Sequence, residues 1–412
     1  MGTPWFVGPL VWLVVSQPVD LPERTLTFEA ALRSGEGAED VHGASEAASV
    51  ATKGIREQPR LTSNPIVSAQ LGMRVNPSEE QGFEGTVGIS QPLSMRRLGR
   101  HRKAAMASEA KWRAAVVDEV RLQRELAIAF AWLELRRAEE LQTLAASQIE
   151  VEEARVTEVE RLVTVGEWPA AELADAQAEL ARTRLNELDA EGRVVDAAHA
   201  LARALGHGDG GAVATRGPLP EATVPRAEDR EALLAHVEQM PSVRATELLA
   251  AAEEARGVEA WASQGQQVSV GVQAQRESMG STIVQGTVSV PIPALKPGVR
   301  ARTAHQATAA ELRGQAADQT VQLRAQLRTM LHDLEHTEQV HADLHGRVLP
   351  TSEAALQAWE RQAASGEVLR LQVLDARRRL LEVRRREVEA RVDRAWARVR
   401  LAIFAAVVGG EA

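Results

Sequence analysis

The sequence contains no cysteine and no tyrosine, and only five phenylalanines and eight tryptophans in 412 residues. Without cysteine there are no disulfides, no thiolate metal sites, no cysteine nucleophile and no lipid anchor carried on an N-terminal cysteine. The scarcity of aromatics leaves few side chains for the girdles that flank membrane segments. No stretch reaches the roughly 18 consecutive apolar residues that a membrane helix requires, so any crossing of a bilayer falls to strands. Positive charge is short as well: 48 Lys and Arg against 57 Asp and Glu leave a net charge of −9, which argues against a general nucleic-acid binder. Catalysis finds no foothold either. There is no phosphate-cradling glycine loop and no nucleophile with a base and oxyanion donors in any local motif, and no cofactor is implied.

What the chain does have is Ala, Glu, Arg, Leu and Val, in a mixture typical of long helices rather than of a compact α/β enzyme. Near the start, the apolar run from Trp5 to Val15 has the length of an export-signal core and is too short to span a bilayer. Residues 1–16 therefore read as a signal-like segment. No basic residue precedes the run, so an ill-defined start is the competing reading.

The chain reads as two copies of one unit, displaced by about 200 residues. Gly85-Thr86-Val87-Gly88-Ile89 reappears as Gly286-Thr287-Val288-Ser289-Val290, with Pro92 and Pro293 just beyond each copy. Val165-Gly166-Glu167 and Leu173-Ala174-Asp175-Ala176 reappear as Ser365-Gly366-Glu367 and Val373-Leu374-Asp375-Ala376. The expected organisation is a first repeat at 17–205, a Gly- and Pro-rich linker at 206–229, a second repeat at 230–406 and a tail at 407–412. Each repeat reads as short helix, two strands, very long helix, Gly-Glu turn and returning helix.

From about 99 to 165 no proline or glycine interrupts the interior, and Trp112, Val116 and Val120, then Leu126, Phe130 and Leu133, recur at helical spacing. Such a helix is on the order of 100 Å long at 1.5 Å per residue. The second copy, about 300 to 364, carries Leu323, Leu327, Leu331 and Leu334, continued by Leu344 and Val348, and only Gly314, Gly346 and Pro350 disturb it. Leu374, Leu381, Val388 and Ala395 recur in the last helix at the heptad spacing that favours left-handed coiled packing. Helices this long with narrow stripes call for partners along their length, first as antiparallel hairpins and then between chains.

Four runs alternate with period two. Val67, Ala69, Leu71, Met73 and Val75 alternate with Ser68, Gln70, Gly72 and Arg74, and Phe83, Gly85, Val87 and Ile89 with Glu84, Thr86, Gly88 and Ser90. The second half repeats this with Val268, Val270, Val272 and Ala274, then Val284, Gly286, Val288 and Val290. Strands are expected at about 66–75, 83–91, 267–275 and 282–290, the length of tilted membrane strands with a wet inner face. A soluble sandwich with one wet face produces the same alternation. Four strands are too few to close a barrel, however, and an open edge in lipid leaves unpaired backbone groups. Long helices and open strands are both satisfied by a symmetric ring of subunits. The fold class expected is mainly α, with duplicated strand-strand-long-helix halves, long antiparallel coiled helices and four barrel strands per chain completed by identical neighbours.

With that plan in place, the chain resembles the TolC-type outer-membrane efflux protein family over nearly its whole length. Gln91-Pro92-Leu93, followed by the basic run Arg96, Arg97, Gly99, Arg100, Arg102 and Lys103, resembles the family's strand-to-helix junction, particularly in its heavy-metal cation-efflux branch. Met240-Pro241-Ser242-Val243-Arg244 resembles its short equatorial helix, and Ser365-Gly366-Glu367 to Val373-Leu374-Asp375-Ala376 its periplasmic tip. The resemblance implies a homotrimer with a twelve-stranded barrel in the outer membrane of a Gram-negative bacterium. It also implies a helical tunnel through the periplasm to an adaptor protein and an inner-membrane pump, with no enzymatic activity. Family members often carry Asp-Val-Leu-Asp-Ala at the second tip; here Gln372 replaces the first acidic residue and Asp375 remains.

Several constellations keep two readings. Asp375, with Gln372, is either an aperture-lining residue repeated threefold or an acidic residue favoured near a helix start. Gly166, Glu167, Gly366 and Glu367 read as hairpin turns, and the resemblance makes them adaptor contacts. Arg96, Arg97, Arg100, Arg102 and Lys103 face either anionic headgroups or plain solvent at a helix start. His332 with His336, and His341 with His345, each share a helix face at a spacing that suits a transition metal. The two pairs fall on nearly opposite faces and cannot converge, so no metal site is assigned to them. The rival function is a periplasmic coiled-coil adaptor or scaffold with a soluble β-domain.

Overall fold

A computed structural model describes residues 24–35, 37–57, 64–74, 82–207, 213–226, 230–264, 267–277, 280–291 and 298–409. The signal-like segment 1–16, Val75 and parts of the linker lie outside them. In chain order the elements are β1 (Arg24–Leu26), α1 (Phe28–Gly35), α2 (Glu39–Glu57), β2 (Ile66–Arg74), β3 (Gly82–Ser94), α3 (Leu98–Thr164) and α4 (Ala170–Ala204). They continue as β4 (Val213–Thr215), α5 (Arg230–Ala235), α6 (Pro241–Ser263), β5 (Gln267–Arg276), β6 (Thr282–Ser289), α7 (Val299–Asp343), α8 (Leu349–Ala364) and α9 (Arg370–Gly409). Helix α9 continues through 407–409 with Val408 buried, so these residues extend the last helix rather than begin a tail.

Helix α3 is one unbroken span of 67 residues. Its counterpart is two helices, α7 and α8, joined through a five-residue π-helix at Leu344–Val348. Pro350, in the first turn of α8, supplies the cause: it has no N–H to give to the carbonyl four residues earlier, and its ring crowds that turn. The Leu349 N–H bonds back to the Leu344 carbonyl, which accommodates an extra residue without breaking the helix.

The main core lies midway along the helices. Trp132 of α3 is fully buried, its ring edge-on to Phe28 at 5.5 Å, and its Nε1–H donates to the Leu26 carbonyl at 3.0 Å. That bond ties the core to a parallel pair, β1 on β4, with Leu26 opposite Thr215. Glu139 fixes the same pair, accepting from the Thr215 backbone N–H at 2.8 Å and from its hydroxyl. Ile128, Leu133 and Leu135 of α3 join Leu201 of α4, Leu327 and Leu334 of α7, and Val392, Leu401 and Phe404 of α9. The face turned inward by α3 therefore runs through Ile128, Trp132 and Leu135. Phe130, expected on the sticky stripe, is 46% exposed and meets the Trp396 ring in a T-shaped contact, 5.2 Å between centroids. A smaller core of Val159, Leu162, Ala176, Leu371 and Leu374 closes the far end, where both helical hairpins turn.

The four long strands form one antiparallel sheet in the order β2-β3-β5-β6. Register places Val67, Ile89, Val272 and Gly286 in one row and Ala69, Val87, Ala274 and Val284 in the next, all on one face. The opposite face carries Ser68, Gly88, Gln273 and Gln285, then Ser90, Gly271 and Thr287, with Ile66 and Ile283 as its apolar exceptions. The outer edges of β2 and β6 have no partner strand among the described residues.

Candidate functional site

The sheet is inside out by the standard of a soluble protein. On β5 the apolar residues Val270, Val272 and Ala274 are exposed, while Gly271, Gln273 and Gln275 between them are half-buried. On β3 the apolar Phe83, Val87 and Ile89 are exposed, and Gly88 on the polar side is buried. Leu71 is 91% exposed and Phe83 82%. Small residues on the polar face let neighbouring strands come close. A Cβ on Gly271 would stand 2.6 Å from the Ile89 carbonyl oxygen, and one on Gly88 would stand 3.0 Å from Gln273 Cβ. Strands therefore approach closely on the polar side at these two glycines. A soluble sandwich covers its apolar face; here that face is bare, which favours lipid as its solvent.

At the strand-to-helix junction the basic run divides. The Arg96 guanidinium lies 4.1 Å from the centroid of the Trp261 ring and donates to the Trp261 carbonyl at 2.6 Å. Arg102 Nε donates to Glu259 at 3.0 Å. These two hold α3 against α6, whereas Arg97, Arg100 and Lys103 are exposed. Arg97 takes the left-handed backbone conformation (φ 51°, ψ 44°) that turns the strand into the helix. Just beyond, Glu253 binds both Arg256 and His305; burial would raise its pKa, but those hydrogen bonds hold it below the usual carboxylate range.

At the far end the two hairpin turns are built alike. The Gly166 N–H donates to the Val163 carbonyl and the Glu167 N–H to Leu162, at 3.0 and 2.9 Å; Gly366 and Glu367 repeat this to Ala363 and Gln362 at 3.1 and 3.0 Å. Both glycines have positive φ, 80° and 76°, and this paired-bond ending of a helix favours glycine for that reason. All four residues are exposed. Gln372 is exposed one turn ahead of Asp375, whose carboxylate lies 3.7 Å from Arg155 and 4.0 Å from Arg378. The charge of Asp375 is thus shared with two arginines within its own chain. Beside it, Glu152 of α3 is 1% exposed and its Oε2 has no hydrogen-bond partner among the described residues. Burial raises its pKa against the opposing pull of Arg155 and Arg378.

The histidine pairs are treated differently by the fold. His332 and His336 stack at 6.4 Å between ring centroids and are exposed. His341 and His345 stack at 5.5 Å, and Glu387 of α9 joins them. Burial, then Arg394 and His345, lower the His341 pKa. Neither Glu387 nor Glu152 was identifiable as a site residue in sequence, since both sit among many charged helix positions and only the packing of α9 singles them out.

No protein-family model matches the sequence, and no curated protein does. Solved structures do match over almost the full chain. The CmeC outer membrane channel of Campylobacter jejuni is 13% identical with a TM-score of 0.68, covering 93% of this chain and 85% of that one. The chain has the fold of TolC-type outer-membrane channels. The outer membrane protein VceC of Vibrio cholerae aligns at a TM-score of 0.62 and 17% identity over 93% of this chain and 96% of its own. CusC, described for conformational changes accompanying transmembrane channel formation, aligns at 0.61 and 16% over 92% and 91%. In this TolC-type fold the barrel is not closed within one chain, in keeping with its completion by neighbours. No helix among the described residues is long and apolar enough to cross a membrane.

Proposed function

We propose that this protein is the outer-membrane channel subunit of a tripartite efflux system, a passive duct rather than an enzyme. Three copies contribute four strands each to one barrel in a Gram-negative outer membrane, and their helices form a tunnel into the periplasm. The observation that carries this reading is the bare apolar face of a sheet whose two outer strands lack partner strands among the described residues. Arg97, Arg100 and Lys103 would meet lipid headgroups where the barrel ends. Gly166, Glu167, Gly366 and Glu367 would meet a periplasmic adaptor, with Asp375 and Gln372 at the aperture they surround. An inner-membrane pump would drive the cargo, metal cations or small toxic compounds.

Because the chain has no cysteine, the closure can be tested with introduced ones. Ser68→Cys or Gln70→Cys on β2, combined with Gln285→Cys or Thr287→Cys on β6, places thiols at opposite edges of the sheet. At least one combination should yield a disulfide-linked trimer from membranes that resist carbonate extraction. Monomers alone, released by carbonate without detergent, would instead support the soluble scaffold.

A further inference from the structure

We propose that His341, His345 and Glu387 bind one divalent transition-metal cation of the zinc class, tying the π-helical turn between α7 and α8 to α9. One ligand atom from each residue lies within 4.8 Å of the others. The imidazole rings are nearly parallel, 9° apart, and His345 Nδ1 is 3.9 Å from Glu387 Oε1. Metal–ligand bonds of about 2.0–2.2 Å require donor atoms roughly 3.3 Å apart, so closure takes shifts of up to about 1.5 Å. His345 is exposed and has the rotamer freedom to supply it. Two imidazoles and a carboxylate suit Zn²⁺, Cu²⁺, Ni²⁺ or Co²⁺, and are a poor set for Ca²⁺ or Mg²⁺, which take oxygen ligands.

Three features single out this group. Glu387 is 13% exposed on its side chain yet accepts no hydrogen bond among the described residues. Its nearest arginine, Arg391, stands 3.8 Å away and is paired with Glu140, so a cation could take Glu387 without stranding that arginine. The π-helix begins at Leu344, between the two histidines, and such insertions recur at functional sites because they re-aim side chains without ending the helix. Arg391 and Arg394 add positive charge nearby, which opposes a bound cation and weakens the site. The site stands independently of the channel reading.

His332 and His336 provide an internal control, being the same residue pair at the same spacing without a third ligand among the described residues. The full chain, purified in detergent without a histidine tag, is titrated with Zn²⁺ by calorimetry, and with Co²⁺ to read coordination from its visible spectrum. One ion per chain is expected. His345→Gln, at an exposed position, should weaken binding by about 100-fold through loss of one of three ligands, as should Glu387→Gln. A double His332→Gln and His336→Gln variant should bind like the parent, and circular dichroism confirms that each variant is folded. No saturable zinc binding by the parent at millimolar metal would overturn the assignment. So would undiminished affinity in folded His345→Gln, or loss of binding in the control variant.

Discussion

The two long helical spans matched by the duplication differ in how much of themselves one chain can bury. Helix α3 places Ile128, Trp132, Leu133 and Leu135 in the main core and Val159 and Leu162 in the distal one. Helix α7 buries only Ala309, Ala316, Leu327 and Leu334, and α8 buries nothing. Within one chain, therefore, the first-half span is well buried, while much of the α7–α8 surface is left uncovered. The π-turn fits that division, since an insertion is tolerated where few packed side chains depend on the register.

The largest contrast should come from truncating one residue on each span. Trp132→Ala removes a fully buried ring and its hydrogen bond to Leu26, and should cost about 3–5 kcal/mol in chemical denaturation. Val321→Ala on α7, where Val321 is 63% exposed, should cost less than about 0.5 kcal/mol in the dissociated chain. Equal losses would break the comparison. A loss for Val321→Ala seen only under conditions that keep chains associated would sharpen it, locating α7 at a subunit interface.

A smaller effect is expected at the tips, where the halves are alike. Gly166→Ala and Gly366→Ala each force a side chain into the left-handed region with open space around it. Each should lower stability by about 1 kcal/mol in thermal or denaturant melts, with no steric penalty added. Unequal costs would mean that one tip is engaged in the assembly and the other is free.

Much of this fold is legible because its signals are local. Side-chain alternation on a strand has period two whatever surrounds it, so Val67 through Met73 and Val268 through Ala274 announce their faces directly. The close approach of the strands is not local: it depends on Gly88 and Gly271 meeting neighbouring strands, which needs the register. The three-residue pair β1 and β4 carries too little pattern to be read at all. On α3 two apolar stripes compete, one through Phe130 and one through Trp132, and only the position of α9 and the β1 carbonyl decides between them. The candidate metal ligands follow the same logic. The four-residue spacing of His341 and His345 is visible in sequence, but Glu387 is brought in by helix packing that no spacing encodes.

The finest test of the asymmetry concerns Glu152. At the same distance before the second tip glycine stands Ser352, whose hydroxyl donates to the Val348 carbonyl at 2.8 Å and carries no charge. Glu152 instead sits buried among α3, α4 and α9, where burial raises its pKa and Glu179 and Asp375 add to the rise. A carboxyl raised in the folded state binds more protons there than in the unfolded chain. Stability must therefore fall as pH rises from the ordinary carboxyl pKa through the raised folded value. Below that window the penalty is absent; above it the penalty is complete. Glu152→Gln keeps the shape and removes the charge, so it should be more stable than the parent at neutral pH and indistinguishable from it in acid, with a flatter stability profile between. Parallel profiles for parent and variant would show that Arg155 and Arg378 already neutralise Glu152, and that the distal end of α3 carries no more strain than its counterpart on α8.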